Sequence, residues 1–246
     1  AGLVMGSFAS MLCYRLPRDI PVLCFGKKNE KIQRHFSFCP SCETQLRFFD
    51  LFPIFSWIFQ TGNCRHCKQK ISIQYPIIEF LTLSLALLGY WGFGFTWQGA
   101  VVITMAPILV SLFVIDWNFR ILPNILNLVF FIGGFIFQVI QAENIIFYLI
   151  SALVYPGSMI FIRWAFLKVT GKDGLGFGDI KFFAGAGIWL GLNIFSAFLL
   201  LGSLLGIVFG LAHKWITKEE LFPFGPALIV AFLICLYTKD LILTVL

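Results

Sequence analysis

The chain has 246 residues, 59% of them hydrophobic, 17% aromatic and only 12% charged, with a mean hydropathy of +0.89. A soluble globule carries roughly twice that share of charge, so much of this surface must face something other than water. A soluble domain is excluded, and the formal charge of +6 reads as charge flanking membrane spans rather than as a nucleic-acid footprint.

Apolar runs long enough to span a bilayer, or nearly so, lie at about 1–14, 76–95, 99–117, 121–141, 144–164, 180–192, 193–212 and 222–245. None alternates like a barrel strand, and in lipid each backbone polar group must be bonded internally, so the runs are expected to be helices. The predicted fold is an all-α polytopic bundle of about eight transmembrane helices with a small cytosolic zinc-binding loop subdomain. The first run is shorter than the roughly 20 residues a span needs, so several of its residues are expected to precede Ala1. The expected organisation is a first helix at 1–14, a cytosolic loop at 15–75 and a membrane-embedded domain at 76–246.

The loop carries two C-x-x-C pairs, Cys39-Pro-Ser-Cys42 and Cys64-Arg-His-Cys67. Two such pairs about twenty residues apart match a structural zinc site: each pair offers two thiolates, and together they complete a tetrahedron. Fe–S is the competing reading, and two disulfides are disfavoured in a cytosolic loop. Four closed thiolate positions leave no coordination site for a reacting water. His66 is expected to be a solvated loop residue. Cys13, Cys24 and Cys235 read as small hydrophobes or idle thiols.

Ten of the eighteen Lys and Arg residues fall between Arg15 and Lys70. With that segment in the cytosol and later helices threaded alternately, seventeen of the eighteen lie on the cytosolic side and only Lys239 lies outside. The same threading brings Asp116 and Asp179 to one membrane boundary.

Few acids lie in or against the apolar runs: Glu79, Asp116 and Asp179. Such residues are costly there and are candidates for function. Asp116 ends a run, where the helix dipole opposes a carboxylate. Asp179 follows Gly174-Leu175-Gly176-Phe177-Gly178; its bland explanation is an N-cap. The alternate glycines suggest close backbone approach, and an extended stretch there suits holding substrate beside Asp179, with Gly176, Gly178 and Lys181 as contacts. Two carboxylates within hydrogen-bond range cannot both ionise easily, so the pair shares a proton, as in aspartic proteases. Asp173 reads as a solvated turn acid, and a first-turn Glu79 is favoured by the helix dipole. Gly187, Gly191, Gly202, Gly206 and Gly210 are expected to pack helices.

An ordered series of motifs resembles the type IV prepilin peptidase family, also called leader peptidase/N-methyltransferases. It runs through Gly6-Ser7-Phe8, Tyr14-Arg15-Leu16-Pro17, the two cysteine pairs, Pro53, Ser56-Trp57, Tyr75-Pro76 with Glu79, Ile115-Asp116, Leu122-Pro123, Gly176-Phe177-Gly178-Asp179 and Pro223-Phe224-Gly225-Pro226. The resemblance implies that Asp116 and Asp179 are the catalytic pair of a G-x-G-D intramembrane protease. It implies cleavage of prepilin and pseudopilin precursors after a glycine at the cytosolic face of the bacterial inner membrane, among its lipids. It also implies methylation of the new N-terminus from S-adenosyl-L-methionine, with residues 15–75 as the methyltransferase region and Glu79 a candidate cofactor contact. Two positions depart from the family pattern: Asn124 where L-P-D is frequent, and Leu51 where D-N-x-P has Asn. The competing readings are a peptidase without methylation, a proton- or cation-coupled transporter using the same aspartates, and an assembly component whose zinc loop binds partners.

Overall fold

The structure is a computed structural model that describes residues 2–20, 22, 37–47, 50, 52–141, 144–171, 174–218 and 222–245. Cys24, Leu51, Lys172 and Asp173 lie outside the described residues, as do the basic residues of 23–36.

Helices account for nearly all of the regular structure. They are α1 (Gly2–Arg15), the short α2 (Phe55–Phe59), α3 (Gln74–Phe93), α4 (Trp97–Phe119), α5 (Asn124–Gln141), α6 (Ile145–Thr170), α7 (Phe177–Leu190), α8 (Phe195–Thr217), α9 (Gly225–Tyr237) and α10 (Lys239–Val245). Each of the eight apolar runs becomes a helix, with the last one broken at Thr238 into α9 and α10. The expectation of about eight spans needs correction. Among the described residues, five helices are long and apolar enough to cross a bilayer: α3, α4, α5, α6 and the run Leu192–Ile216 containing α8; α1, with 14 described residues, α7 and α9 are shorter.

The helices α7 and α9 fall short for a physical reason. Their 14 and 13 residues reach about 20 Å, less than the hydrocarbon core of roughly 30 Å. Both are buried along most of their length, although Phe177 at the start of α7 is exposed. Non-helical backbone at membrane depth is tolerated in that setting. The end of α7 shows how its last carbonyls are satisfied. Gln138 Nε2 donates to the carbonyls of Ile188 and Trp189 at 2.9 and 3.0 Å, and the Tyr155 hydroxyl donates to Gly191 O at 2.8 Å.

Helix α7 packs between α5 and α6 and touches α9, while α4 packs against α1, α3, α5 and α9. An aromatic cluster joins these elements. Phe130 stacks on Phe182 with ring centroids 5.0 Å apart and meets Phe232 edge-on at 4.9 Å. Glycines permit the closest crossings. A Cβ on Gly187 would lie 2.6 Å from Ser151 O, and one on Gly134 would lie 2.6 Å from both Ile188 and Trp189.

The evenly spaced glycines of α8 serve packing, as expected, with a further effect on the loop before α9. Gly202 faces Leu228, Gly206 faces the Phe224 ring and Gly210 faces the Phe222 ring. The stripe therefore seats Phe222 and Phe224, and so fixes where α9 begins.

Candidate functional site

Asp116 lies one turn before the C-terminus of α4 and is 5% exposed. The unfavourable dipole of its own helix is offset by another one. Its Oδ2 accepts a hydrogen bond of 2.9 Å from the Gly225 N–H, at the N-terminal, electropositive end of α9. Gly225 is a site residue that sequence reasoning did not single out. Any side chain there would meet Asp116, since a Cβ would sit 2.7 Å from Oδ2. The Pro-Phe-Gly-Pro motif was its only trace in the sequence.

Asp179 is not the N-cap of α7. Gly176 holds that position in extended backbone (φ −68°, ψ 143°), and Asp179 is the third helical residue. Its carboxylate reaches back to the backbone of Gly176, the return half of a capping box. The extended segment therefore ends at Gly176, and Gly178 is helical. A Cβ on Gly178 would lie 3.0 Å from Leu122 Cβ, so this glycine lets the start of α7 approach the turn before α5. Lys181 Nζ donates to Asn124 Oδ1 at 2.6 Å, tying the same two elements together at the position where the chain departs from L-P-D.

These contacts bring the end of α4, the start of α7 and the start of α9 together. Asp116 and Asp179, far apart along the chain, are close enough in the fold for their charges to interact. Such a pair can hold one proton, with the ionised member activating water and the protonated member donating to a carbonyl.

Glu79 lies at the same end of the bundle but in a different setting. Its Oε2 accepts from the Ile54 N–H at 2.6 Å, linking α3 to the cysteine-bearing segment. Ile54 has φ 61° and ψ −52°, a costly conformation for a β-branched residue. A Cβ on Gly6 of α1 would lie 2.8 Å from Glu79 Cα, so α1 crosses α3 closely at this point.

The four cysteines converge. The sulfurs of Cys39, Cys42, Cys64 and Cys67 all lie within 4.8 Å of one another, and Cys39 and Cys67 are 3.9 Å apart. A tetrahedral ion with Zn–S bonds of about 2.3 Å requires S···S separations of about 3.8 Å. The two halves share one backbone design. Cys39 N–H donates to Thr44 O and Glu43 N–H to Cys39 O; Cys64 N–H donates to Gln69 O and Lys68 N–H to Cys64 O. Glu43 and Lys68, each just after its second cysteine, have φ of 54° and 60°. Bridges Phe38–Gln45 and Asn63–Lys70 close the two loops.

The four thiols divide. Two are drawn down, whereas Cys67, against hydrogen bonding from the Gln69 backbone, is pushed up to about 11 by burial and the neighbouring sulfurs. Cys42 is drawn down to about 6, first by hydrogen bonding from the Thr44 side chain and then from the Thr44 backbone. The Cys64 thiol is also lowered, chiefly by the backbone of Cys67 and His66. Thiolates are the ligating form, and the donor set suits a soft tetrahedral metal ion such as zinc. His66 is exposed and is not part of the cluster.

The Bacterial Peptidase A24 N-terminal domain matches residues 1–93, and the Type IV leader peptidase family matches residues 103–211. A prepilin leader peptidase/N-methyltransferase of Neisseria gonorrhoeae is 30% identical, over 94% of this chain and 85% of the relative. The chain belongs to this family. A relative of the same description from Legionella pneumophila is 31% identical, over 98% of this chain and 90% of its own length. Another, from Pseudomonas aeruginosa, is 30% identical over 97% and 88%. No solved structure matches the chain. Family membership and five apolar helices make it a multi-pass membrane protein.

Proposed function

We propose that this chain removes the leader from prepilins and pseudopilins with Asp116 and Asp179, and then N-methylates the freed residue. The reading is supported by Asp116 and Asp179 lying near enough for their charges to interact, with Asp116 held by the start of α9, in a chain whose relatives are named prepilin leader peptidase/N-methyltransferase. A proton-coupled transporter would use the same acids but gives no account of the cysteine cluster.

The precursor's apolar helix lies among the spans, its scissile bond at the boundary where Asp116 and Asp179 meet. Water adds to the scissile carbonyl as the ionised aspartate takes its proton, and the protonated aspartate donates to the carbonyl oxygen. Collapse breaks the C–N bond, and the amine leaves with a proton. Gly176, Gly178 and Lys181 shape the turn beside Asp179, and contact with substrate falls to the extended segment that ends at Gly176.

The cysteine cluster holds zinc as a structural ion. S-adenosyl-L-methionine supplies the methyl group, and the chain must bind it and the new amine. The basic residues from Arg15 to Lys70 support a cytosolic location for that segment and the active regions at the bacterial inner membrane.

The deciding experiment is processing of a purified prepilin in lipid by the full-length protein beside its Asp179→Ala form. Processing by the first and none by the second is expected. Equal processing by both would break the two-aspartate mechanism.

A further inference from the structure

Helices α6 and α8 leave a gap between them. Helix α6 packs on α7 and α8 packs on α9, while both meet the short turn Leu192–Ile194 at the far end. Toward the end that carries the aspartates, the gap widens into a groove of about 700 Å³, part of it open to its surroundings. Its walls are apolar: Met159, Ile162 and Phe166 on α6 face Leu199 on α8. Ile162, Phe166 and Ser203 are exposed at its lips, so in a bilayer the groove opens sideways into lipid.

The inner side of the groove leads to both aspartates. Phe183, buried in its lining, follows Asp179 by four residues on α7, and residues at that spacing share a helix face. Phe224 and Leu228 also line it, and they bracket Gly225, whose N–H holds Asp116. Leu175 stands at the end next to Gly176, the extended residue that opens α7. At the same end the Arg163 guanidinium stacks 3.7 Å from the centre of the Phe177 ring, which pins α6 to the start of α7.

We propose that this groove receives the end of the precursor's apolar helix, which enters from the bilayer between α6 and α8 and is led to Asp116 and Asp179. The proposal rests on the peptidase half of the function given above. A helix is about 10 Å across and rises about 1.5 Å per residue, so the space suits about one to two turns. Those are the turns next to the scissile bond, and the rest of the helix stands in lipid. Beyond the groove, the precursor's backbone meets the extended segment that ends at Gly176. An acyl chain would match the apolar walls equally well. The connection to both aspartates selects instead a helix that carries the bond to be cut.

The test is photo-cross-linking in lipid from p-benzoylphenylalanine substituted for Ser203 or for Val208, which is exposed on the same helix outside the groove. The full-length chain carries Asp179→Ala so that a purified prepilin stays uncleaved, and thermal midpoints show that each variant is folded. Position 203 is expected to label the prepilin's apolar segment beside the scissile bond, and position 208 to label lipid. In the active protein, Ser203→Trp, which fills the mouth of the groove, should raise KM for prepilin by about tenfold with kcat little changed, the scale of one lost apolar contact. Val208→Trp should change neither. Lipid adducts alone at position 203 with prepilin in excess, equal prepilin labelling from both positions, or an unchanged KM in Ser203→Trp would overturn the groove assignment while cleavage by the unaltered protein stands. No cleavage by the unaltered protein would overturn the peptidase reading, and the proposal with it.

Discussion

The backbone N–H of Gly225 donates to the Asp116 carboxylate across 2.9 Å, so the first turn of α9 fixes an acid carried by α4. Substituting Gly225→Ala would place a methyl 2.7 Å from that carboxylate oxygen. Asp116 must then rotate or α9 must retreat. Misplacement of a catalytic group by about 1 Å costs on the order of 10²-fold in rate. The expected outcome is a loss of that size in prepilin cleavage, with membrane insertion and bound zinc unchanged. Cleavage at the ordinary rate would show that the contact does not position the acid.

Asp116→Asn keeps an oxygen for the Gly225 N–H but removes the acid–base function proposed for this residue. Cleavage should fall by about 10²–10⁴-fold, the usual contribution of a positioned acid or base, while the thermal midpoint moves little. A large fall in the midpoint with modest loss of cleavage would instead assign Asp116 to capping α9.

Metal affinity should depend on pH in a defined direction. Cys42 titrates at about 6, drawn down first by the Thr44 side chain, so its thiolate form is present above that pH and is lost as the pH falls through it. Protons then compete with the ion, because only the thiolate ligates. Competition with a chromophoric chelator should show zinc affinity falling as the pH drops, because Cys67 takes a proton first and Cys42 only near pH 6. Thr44→Val should move the release to higher pH. A release curve unaffected by that change would remove Thr44 from the control of this sulfur.

Two glycines in the membrane helices separate packing from propensity. A Cβ on Gly187 meets the Ser151 carbonyl at 2.6 Å, a backbone atom that cannot rotate away, whereas one on Gly157 meets nothing within 4 Å. Gly187→Ala is expected to destabilise by about 1–3 kcal/mol through overpacking of α6 against α7. Gly157→Ala should be neutral or slightly stabilising. Thermal midpoints in one detergent check the contrast, and equal midpoints would refute it.

The cysteine centre was the most legible part of the sequence, because two C-x-x-C pairs encode two ligand-bearing turns by spacing alone. The apolar helices were legible as elements but not in their placement. Hydropathy responds to apolar side chains without distinguishing lipid from protein, so α7 and α9 read as spans although most of their length is buried in the protein. Asp116 and Asp179 stood out because acids are rare in such runs. What escaped notice were backbone donors. Gly225 N–H and Ile54 N–H meet Asp116 and Glu79 over separations of 109 and 25 residues, and an amide leaves no signature in the residue type. The alternate glycines before Asp179 suggested a longer extended stretch than exists, since Gly178 is required by the approach of Leu122 rather than by an unusual backbone angle.

The bond from Ile54 to Glu79 bears on whether the cysteine subdomain could be transplanted. Residue 54 adopts its unusual backbone angles while bonded to a carboxylate supplied by a membrane helix. A soluble peptide ending before Glu79 would retain all four sulfurs and both metal-binding turns. It would lose the anchor for α2 and with it the seat of Trp57, whose indole donates to Ile71 O. A chimera grafting this segment onto another scaffold must therefore carry the opening turns of α3 with it.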